Sequence, residues 1–418
     1  MARSVQTWFH HAALWITVAL GFSIPISTAL DSVLIVALLG CWAGSGRFHD
    51  KWEAVRGNPV ALAAGAFFVL HGVGSAYGLG TTHTVLFDLD KATILLLVPV
   101  LVSLRPGVEW VRRALLAFLA ALGLTLVLSY LLWFGLLPDA DFIKGFPYDP
   151  VVFKKKIGHS VLMAYGAFVL ALAAGETASR RWRMLLWLFA GLAAFNVLFM
   201  VWGRTGQLTL MALALYYLLR TQGPRGVLAA AAAGLVIGGT AYLVPSSALH
   251  VRTLATINEF DDWRAGRVDR VVNARLESWS NSLQIVREHP WIGVGTGGFA
   301  AAYATQVAGT SMPPLGQPEN QYLLTTVQFG VVGLIALIAL FAAQWHFAAR
   351  LSSRPETDLA RGLVIVMLVG CFFNSFLRDH AHAHFYVWVS GLLYAHQRFA
   401  WGRPPHSAGA RRSRRRRA

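Results

Sequence analysis

Only two cysteines, Cys41 and Cys371, occur in 418 residues, and both fall in apolar stretches. They offer no disulfide framework and no metal knuckle, and read as buried inert thiols. Charge is also scarce. Asp, Glu, Lys and Arg make up 13% of the chain, about half the share of a soluble domain. Acidic residues are the rarer sign, 20 against 36 Lys and Arg. No Walker loop, internal repeat or soluble nucleotide-binding pattern is present, which argues against ATP-driven chemistry within the chain. No A-x-A-like cleavage site follows the first apolar run near Ala12, so that run is expected to remain as an anchor.

What is there is apolar: 56% of residues are hydrophobic. Each membrane crossing needs about 20 mostly apolar residues, fewer where a helix is packed within protein. Candidate crossings lie near 12–29, 31–45, 59–77, 91–104, 113–136, 157–175, 184–202, 206–219, 226–244, 321–345, 361–377 and 384–399. The expected fold is therefore an all-α, polytopic transmembrane bundle with about 12 crossings. Nine helices (1–244) precede one large helical loop (245–320). Three more (321–400) lead to a basic tail (401–418).

A net charge of +16 at first suggests a nucleic-acid partner. Its distribution speaks against one, because 23 of the 36 basic residues sit in the short connectors and tail of one face. Short basic connectors mark the cytoplasmic side. Both termini are thus expected in the cytoplasm and 245–320 outside. The tail RRSRRRRA suits anionic lipid headgroups, though a topology anchor is the better reading.

Cations on the other face break this pattern. Lys154, Lys155 and Lys156 precede the sixth crossing, and Arg204 sits in VWGRTGQ, a connector too short to leave the membrane surface. Charge at membrane depth is costly and marks substrate paths. Arginine forks hold phosphate oxygens in bidentate geometry, so an anionic lipid-linked substrate fits. Gly203 and Gly206 flank Arg204 and indicate a tight turn with close backbone approach. His159 sits beside the lysines, as a contact to phosphate or sugar or as a helix cap. Arg267 and Arg270 are further candidate contacts. They also interleave, with Arg264, among Asp261, Asp262 and Asp269, as a solvated salt-bridged surface would.

Residues 269–289 carry Val272, Leu276, Trp279, Leu283 and Val286 at helical spacing, with Arg275 one position from that stripe. Pro290 ends the helix. WIGVGTGGF follows, with no strand before it and no GK[ST] after it, so a tight packed turn is favoured over a phosphate cradle. Glu319 and Asn320 then stand at the outer mouth of the tenth crossing, where a carboxylate can accept a proton from an attacking hydroxyl. His380, His382 and His384 alternate in DHAHAHF, on one side of an extended segment. A plain interfacial loop or a cleft lining is favoured there over a metal site.

These pieces together resemble the O-antigen ligase and polymerase superfamily. The matches are Arg204 in GRTG, then Arg275, Leu276 and Trp279 with Pro290, Gly293, Gly295 and Phe299, then Glu319, Asn320, Gln321, Tyr322 and Leu323 leading to Phe329, Gly330 and Gly333. Asn374 and Ser375 form a further pair. The resemblance spans about residues 195–380. It implies a metal-independent, cofactor-free GT-C-type transfer at the outer face of the inner membrane. An undecaprenyl-diphosphate-linked O-antigen would be the donor and lipid A–core the acceptor. Arg204 and Arg275 would bind the diphosphate, Glu319 would act as base, and Asn320, Tyr322, His159, Lys155 and Lys156 would contact substrate. The family usually has histidine where this chain has Glu319. A surface-polysaccharide polymerase is the nearest alternative, since it shares the donor. A lipid-linked oligosaccharide flippase or transporter is the alternative from another class, but the two similar halves typical of transporters are not seen.

Overall fold

The computed structural model describes residues 2–138, 140–244, 248–265, 274–310 and 312–395. Among these the chain is all-helical and no strand occurs; Phe146 and Asp149 form an isolated bridge. Helices α1 (Ala2–Ser23) and α2 (Thr28–Gly44) pack as a hairpin, and α3 (Phe48–Arg56) turns away from α2 by 114°. Then come α4 (Pro59–Gly74), α5 (Thr82–Thr93) and α6 (Leu97–Leu104). Three longer rods follow: α7 (Val108–Trp133), α8 (Lys156–Glu176) and α9 (Arg180–Phe195), the last extended by a π-turn over Asn196–Met200. Beyond α10 (Arg204–Gln222) and α11 (Arg225–Leu243), the stretch 245–320 holds α12 (Ala248–Arg264), α13 (Ala274–Glu288) and α14 (Phe299–Gln306). The chain closes with α15 (Gln321–Ala348), α16 (Arg354–Phe373) and α17 (His380–Tyr394).

Local chemistry sets several boundaries. Asn58 caps α4 with Pro59 at its first position, and Ser353 and Glu356 form a reciprocal capping box on α16. The crossing expected over 91–104 is broken. Pro99 has no N–H for the Leu95 carbonyl and its ring crowds that residue, and a 3-10 turn over Ile94–Leu96 separates α5 from α6.

Among the described residues four helices are long and apolar enough to span a bilayer, and a fifth span results if bent α2 and α3 count as one. The protein is a helical, multi-pass membrane protein. Its outward faces fit lipid: Val33, Val36, Leu116 and Leu235 are all more than half exposed. The core lies where α1, α7, α8 and α17 meet, around Phe118, Tyr165, Phe385 and Trp388. Several of its polar side chains find partners inside the protein, as a bilayer favours. Trp388 Nε1 donates to Thr17 O at 3.0 Å, Tyr165 Oη to Leu359 O at 3.0 Å, and Gln344 Nε2 to Ser390 Oγ at 2.9 Å.

Helix α15 is kinked at Gly330, whose φ of 61° only glycine adopts readily. The carbonyls freed at the kink are taken up by the glycine-rich turn. Val294 N donates to Val327 O at 2.9 Å and Gly295 N to Gln328 O at 2.7 Å, while Val331 N donates to Pro290 O at 2.8 Å. Thr296 N and Oγ1 tie the same turn to α4 through Gly74 O and His71 O. The backbone of WIGVGTGGF is thus committed to packing against α15 and α4, in keeping with the packed-turn reading.

Candidate functional site

Close glycine packing brings α10 to α8. A Cβ on Gly203 or Gly206 would lie 2.3 Å from Ser160 Oγ, and one on Gly203 would lie 3.0 Å from the Lys156 carbonyl. Trp202 N also donates to Asp149 Oδ1 at 2.9 Å, which ties the loop before α8 to the start of α10. Two helix N-termini therefore sit side by side, and neither has a side-chain cap. Unmatched N–H groups and the helix dipole make such an end attractive to anions.

Arg204 opens α10. Its Nη1 donates to Glu259 Oε2 at 2.7 Å and to Thr256 Oγ1 at 2.8 Å, both on α12. Arg275 lies in the first turn of α13. Burial pushes its guanidinium below the usual value, against the pull of Glu319; Arg204 lowers it further, and Glu259 raises it. Arg275 therefore senses all three charges, and the two arginines and Glu319 share one electrostatic neighbourhood.

Glu319 has a φ of 53°, left-handed backbone that costs a non-glycine residue about 1–2 kcal/mol. Such strain persists only where the surroundings enforce it. Here Gln317 Nε2 donates to Glu319 Oε1 at 3.0 Å, Trp279 Nε1 donates to Pro318 O at 2.9 Å, and Asn320 caps α15 by accepting from Leu323 N at 3.0 Å. The carboxylate is held just above the N-terminus of α15.

The other expected residues divide. Lys155 and Lys156 are exposed at the α8 N-terminus, beside Arg204's turn, whereas Lys154 is buried with its Nζ 3.9 Å from Asp31 Oδ2. His159 is 2% exposed and its Nε2 lies 3.1 Å from Asn196 Oδ1, an interior contact. Tyr322 directs its hydroxyl to Leu368 O on α16 at 3.0 Å, and the buried Asn320 spends its side chain on the cap. Neither His159 nor the Tyr322 hydroxyl joins the arginines and Glu319. Arg267 and Arg270 lie outside the described residues. In α13 the buried face is Ser278, Ser282 and Ile285, while Leu283 from the apolar stripe stays 48% exposed.

The histidines at 380, 382 and 384 need a correction. They begin a helix rather than an extended segment, because Asp379 caps α17 by accepting from Ala381 N and His382 N. His382 bonds Asp379 and stacks on Phe376, whereas His384 turns to Asp31 and His380 to Lys91.

Glu259, Gln317, Arg378 and Asp88 were not singled out from the sequence. The first is Arg204's partner. The others form a chain from Glu319: Arg378 Nη1 donates to Gln317 Oε1 at 3.2 Å, and Arg378 Nε to Asp88 Oδ1 at 2.9 Å.

Known proteins resemble this region. Residues 188–338 match the O-antigen ligase family model. An O-antigen ligase of Pseudomonas aeruginosa is 28% identical over 140 residues, 32% of this chain and 34% of that protein. An uncharacterised protein of Haemophilus influenzae is 31% identical over 125 residues, 28% of this chain and 31% of that protein. The chain thus aligns with about a third of the length of the curated relatives it matches. A chain from a solved structure titled "Structural coordination of polymerization and crosslinking by a peptidoglycan synthase complex" is similar at a TM-score of 0.46 and 14% identity. That likeness covers 81% of this chain and 97% of that one, and is too distant to bear on function. The family match over 188–338 takes in the segment that holds Arg204, Arg275 and Glu319.

Proposed function

We propose that the protein is an O-antigen ligase. It transfers a glycan from undecaprenyl diphosphate to a sugar hydroxyl of lipid A–core, on the periplasmic side of the inner membrane. The observation that carries this reading is the shared neighbourhood of Arg204, Arg275 and Glu319 within the family-matched segment. In this reading the acceptor hydroxyl gives its proton to the Glu319 carboxylate as its oxygen attacks the anomeric carbon. The bond from that carbon to the diphosphate breaks, and undecaprenyl diphosphate leaves with its charge balanced by Arg204 and Arg275. The uncapped N-termini of α8 and α10, with Lys155 and Lys156, add to the same anion field. A GT-C-type transfer of this kind uses the chain's own side chains throughout.

The topology that goes with this reading is twelve crossings with both termini in the cytoplasm. Helices such as α4, α6, α16 and α17 are short or carry charge, but are packed within protein, where shorter crossings suffice.

Deleting the gene and resolving lipopolysaccharide on a gel tests the proposal. A ligase leaves lipid A–core uncapped while undecaprenyl-linked polymer of normal length accumulates. Core carrying a single repeat unit would mark a polymerase instead, and unaltered banding would sink both.

A further inference from the structure

Linked to Glu319 through Gln317 and Arg378 is a cavity of about 190 Å³. Its polar wall is Asp88 and Arg378, with Thr84 next to them on α5. Phe87 supplies an aromatic face, 42% exposed, with the Arg378 guanidinium 5.0 Å from its ring centre. The floor is the glycine-rich turn at Gly297, and Gly316 closes the rim toward Gln317 and Glu319.

The walls are rigid. Gly297 has a φ of 72°, and a Cβ there would lie 2.6 Å from the backbone of Thr84, so turn and helix fit closely. Asp88 is 7% exposed and accepts from both Arg378 and Gln328. A guanidinium carries five N–H donors. Two of Arg378's are engaged among the described residues, by Asp88 and Gln317, and its side chain is 22% exposed. A carboxylate and a guanidinium thus share one wall, beside an aromatic ring.

This is the chemistry of a sugar ring. Its hydroxyls each need a donor and an acceptor, and its C–H face packs on an aromatic surface. The volume is below the few hundred Å³ of a drug-sized pocket and suits one ring. We propose that this cavity is a monosaccharide subsite, in which Asp88 and Arg378 hold the hydroxyls and Phe87 the apolar face of one acceptor sugar. The subsite rests on the ligase reading for the identity of the acceptor, but not for its affinity for sugar. Arg378 then does two things at once: it binds the sugar ring and, through Gln317, helps to orient the Glu319 carboxylate.

The test uses the full chain in lipid nanodiscs, with deacylated core oligosaccharide as the probe and saturation-transfer NMR as the readout. Wild-type protein should saturate the protons of one ring. Ala300→Trp fills the cavity from α14 and leaves every residue of the Asp88–Arg378–Gln317–Glu319 chain in place. It should weaken oligosaccharide binding at least ~10-fold, as should Phe87→Ala. Undecaprenyl diphosphate binding to the same samples should stay within about twofold, which reports that the variants are folded. No oligosaccharide binding by wild type, or wild-type affinity in both variants, overturns the subsite. Cavity-dependent binding with no glycan transfer would instead contradict the ligase reading and leave the subsite standing.

Discussion

Arg204 Nη1 lies 2.7 Å from Glu259 Oε2, so a carboxylate on α12 occupies the arginine that opens α10. Both side chains are partly exposed, at 34% and 25%, and an ion pair in such a setting is worth no more than about 1 kcal/mol. On the proposed function, a donor diphosphate would compete with Glu259 for Arg204. Glu259→Gln should lower the donor KM by about two- to fivefold and leave kcat unchanged. A raised donor KM would show that Glu259 positions Arg204 rather than competes for it.

Arg275 is half-buried at some cost in hydration, and the charge of Glu319 offsets part of it. Arg275→Ala should lower kcat/KM at least ~100-fold, the scale of removing one donor to a developing anion. Arg275→Lys should recover little, because an ammonium cannot grip two phosphate oxygens in a planar fork. A lysine variant near wild-type rate would reduce Arg275 to a point charge.

In the proposed mechanism Glu319 joins a strained backbone to the proton-accepting role. Glu319→Gly removes the left-handed penalty and should raise stability by about 1 kcal/mol, seen as a higher thermal midpoint, while abolishing transfer. Glu319→His should keep measurable transfer, since histidine accepts a proton and, unlike most residues, is enriched at positive φ. A glycine variant that is both less stable and inactive would mean that the Gln317 contact outweighs the strain.

Gly330 sets the kink of α15. A Cβ there would meet the Trp291 carbonyl carbon and oxygen at 2.2 and 2.3 Å, on a backbone that only glycine adopts readily. Gly330→Ala should cost several kcal/mol, on the order of 3 or more, and shift detergent-extracted protein into aggregate on size-exclusion chromatography. A monodisperse, fully active alanine variant would show that α15 can straighten and the glycine-rich turn can move with it.

How much of this was legible in the chain follows from what local pattern can encode. Apolar runs located some helices to within a few residues: 157–175 became Lys156–Glu176, and 226–244 became Arg225–Leu243, whereas 12–29 became Ala2–Ser23 and 361–377 became Arg354–Phe373. Gly203 and Gly206 signalled close approach, and the neighbour they approach is Ser160. The break before Pro99 was also written locally, but an apolar run hides it. Asp379 was the missed cue that turns DHAHAHF into a helix start. Glu259, Asp88 and Arg378 carried no local signal. Their partners lie 55 and 290 residues away, and pairing at that range is decided by how helices pack. The same holds for His159 Nε2 and the Tyr322 hydroxyl, which meet neighbours that no spacing rule identifies.

The most direct measurement is glycan transfer by the purified protein in proteoliposomes, with an undecaprenyl-diphosphate-linked glycan, lipid A–core and the Glu319→Ala variant in parallel. The account predicts glycan attached to lipid A–core, one undecaprenyl diphosphate released per transfer, and a variant rate lower by at least ~100-fold. Glycan joined to a second donor chain, or an undiminished rate in Glu319→Ala, would contradict it.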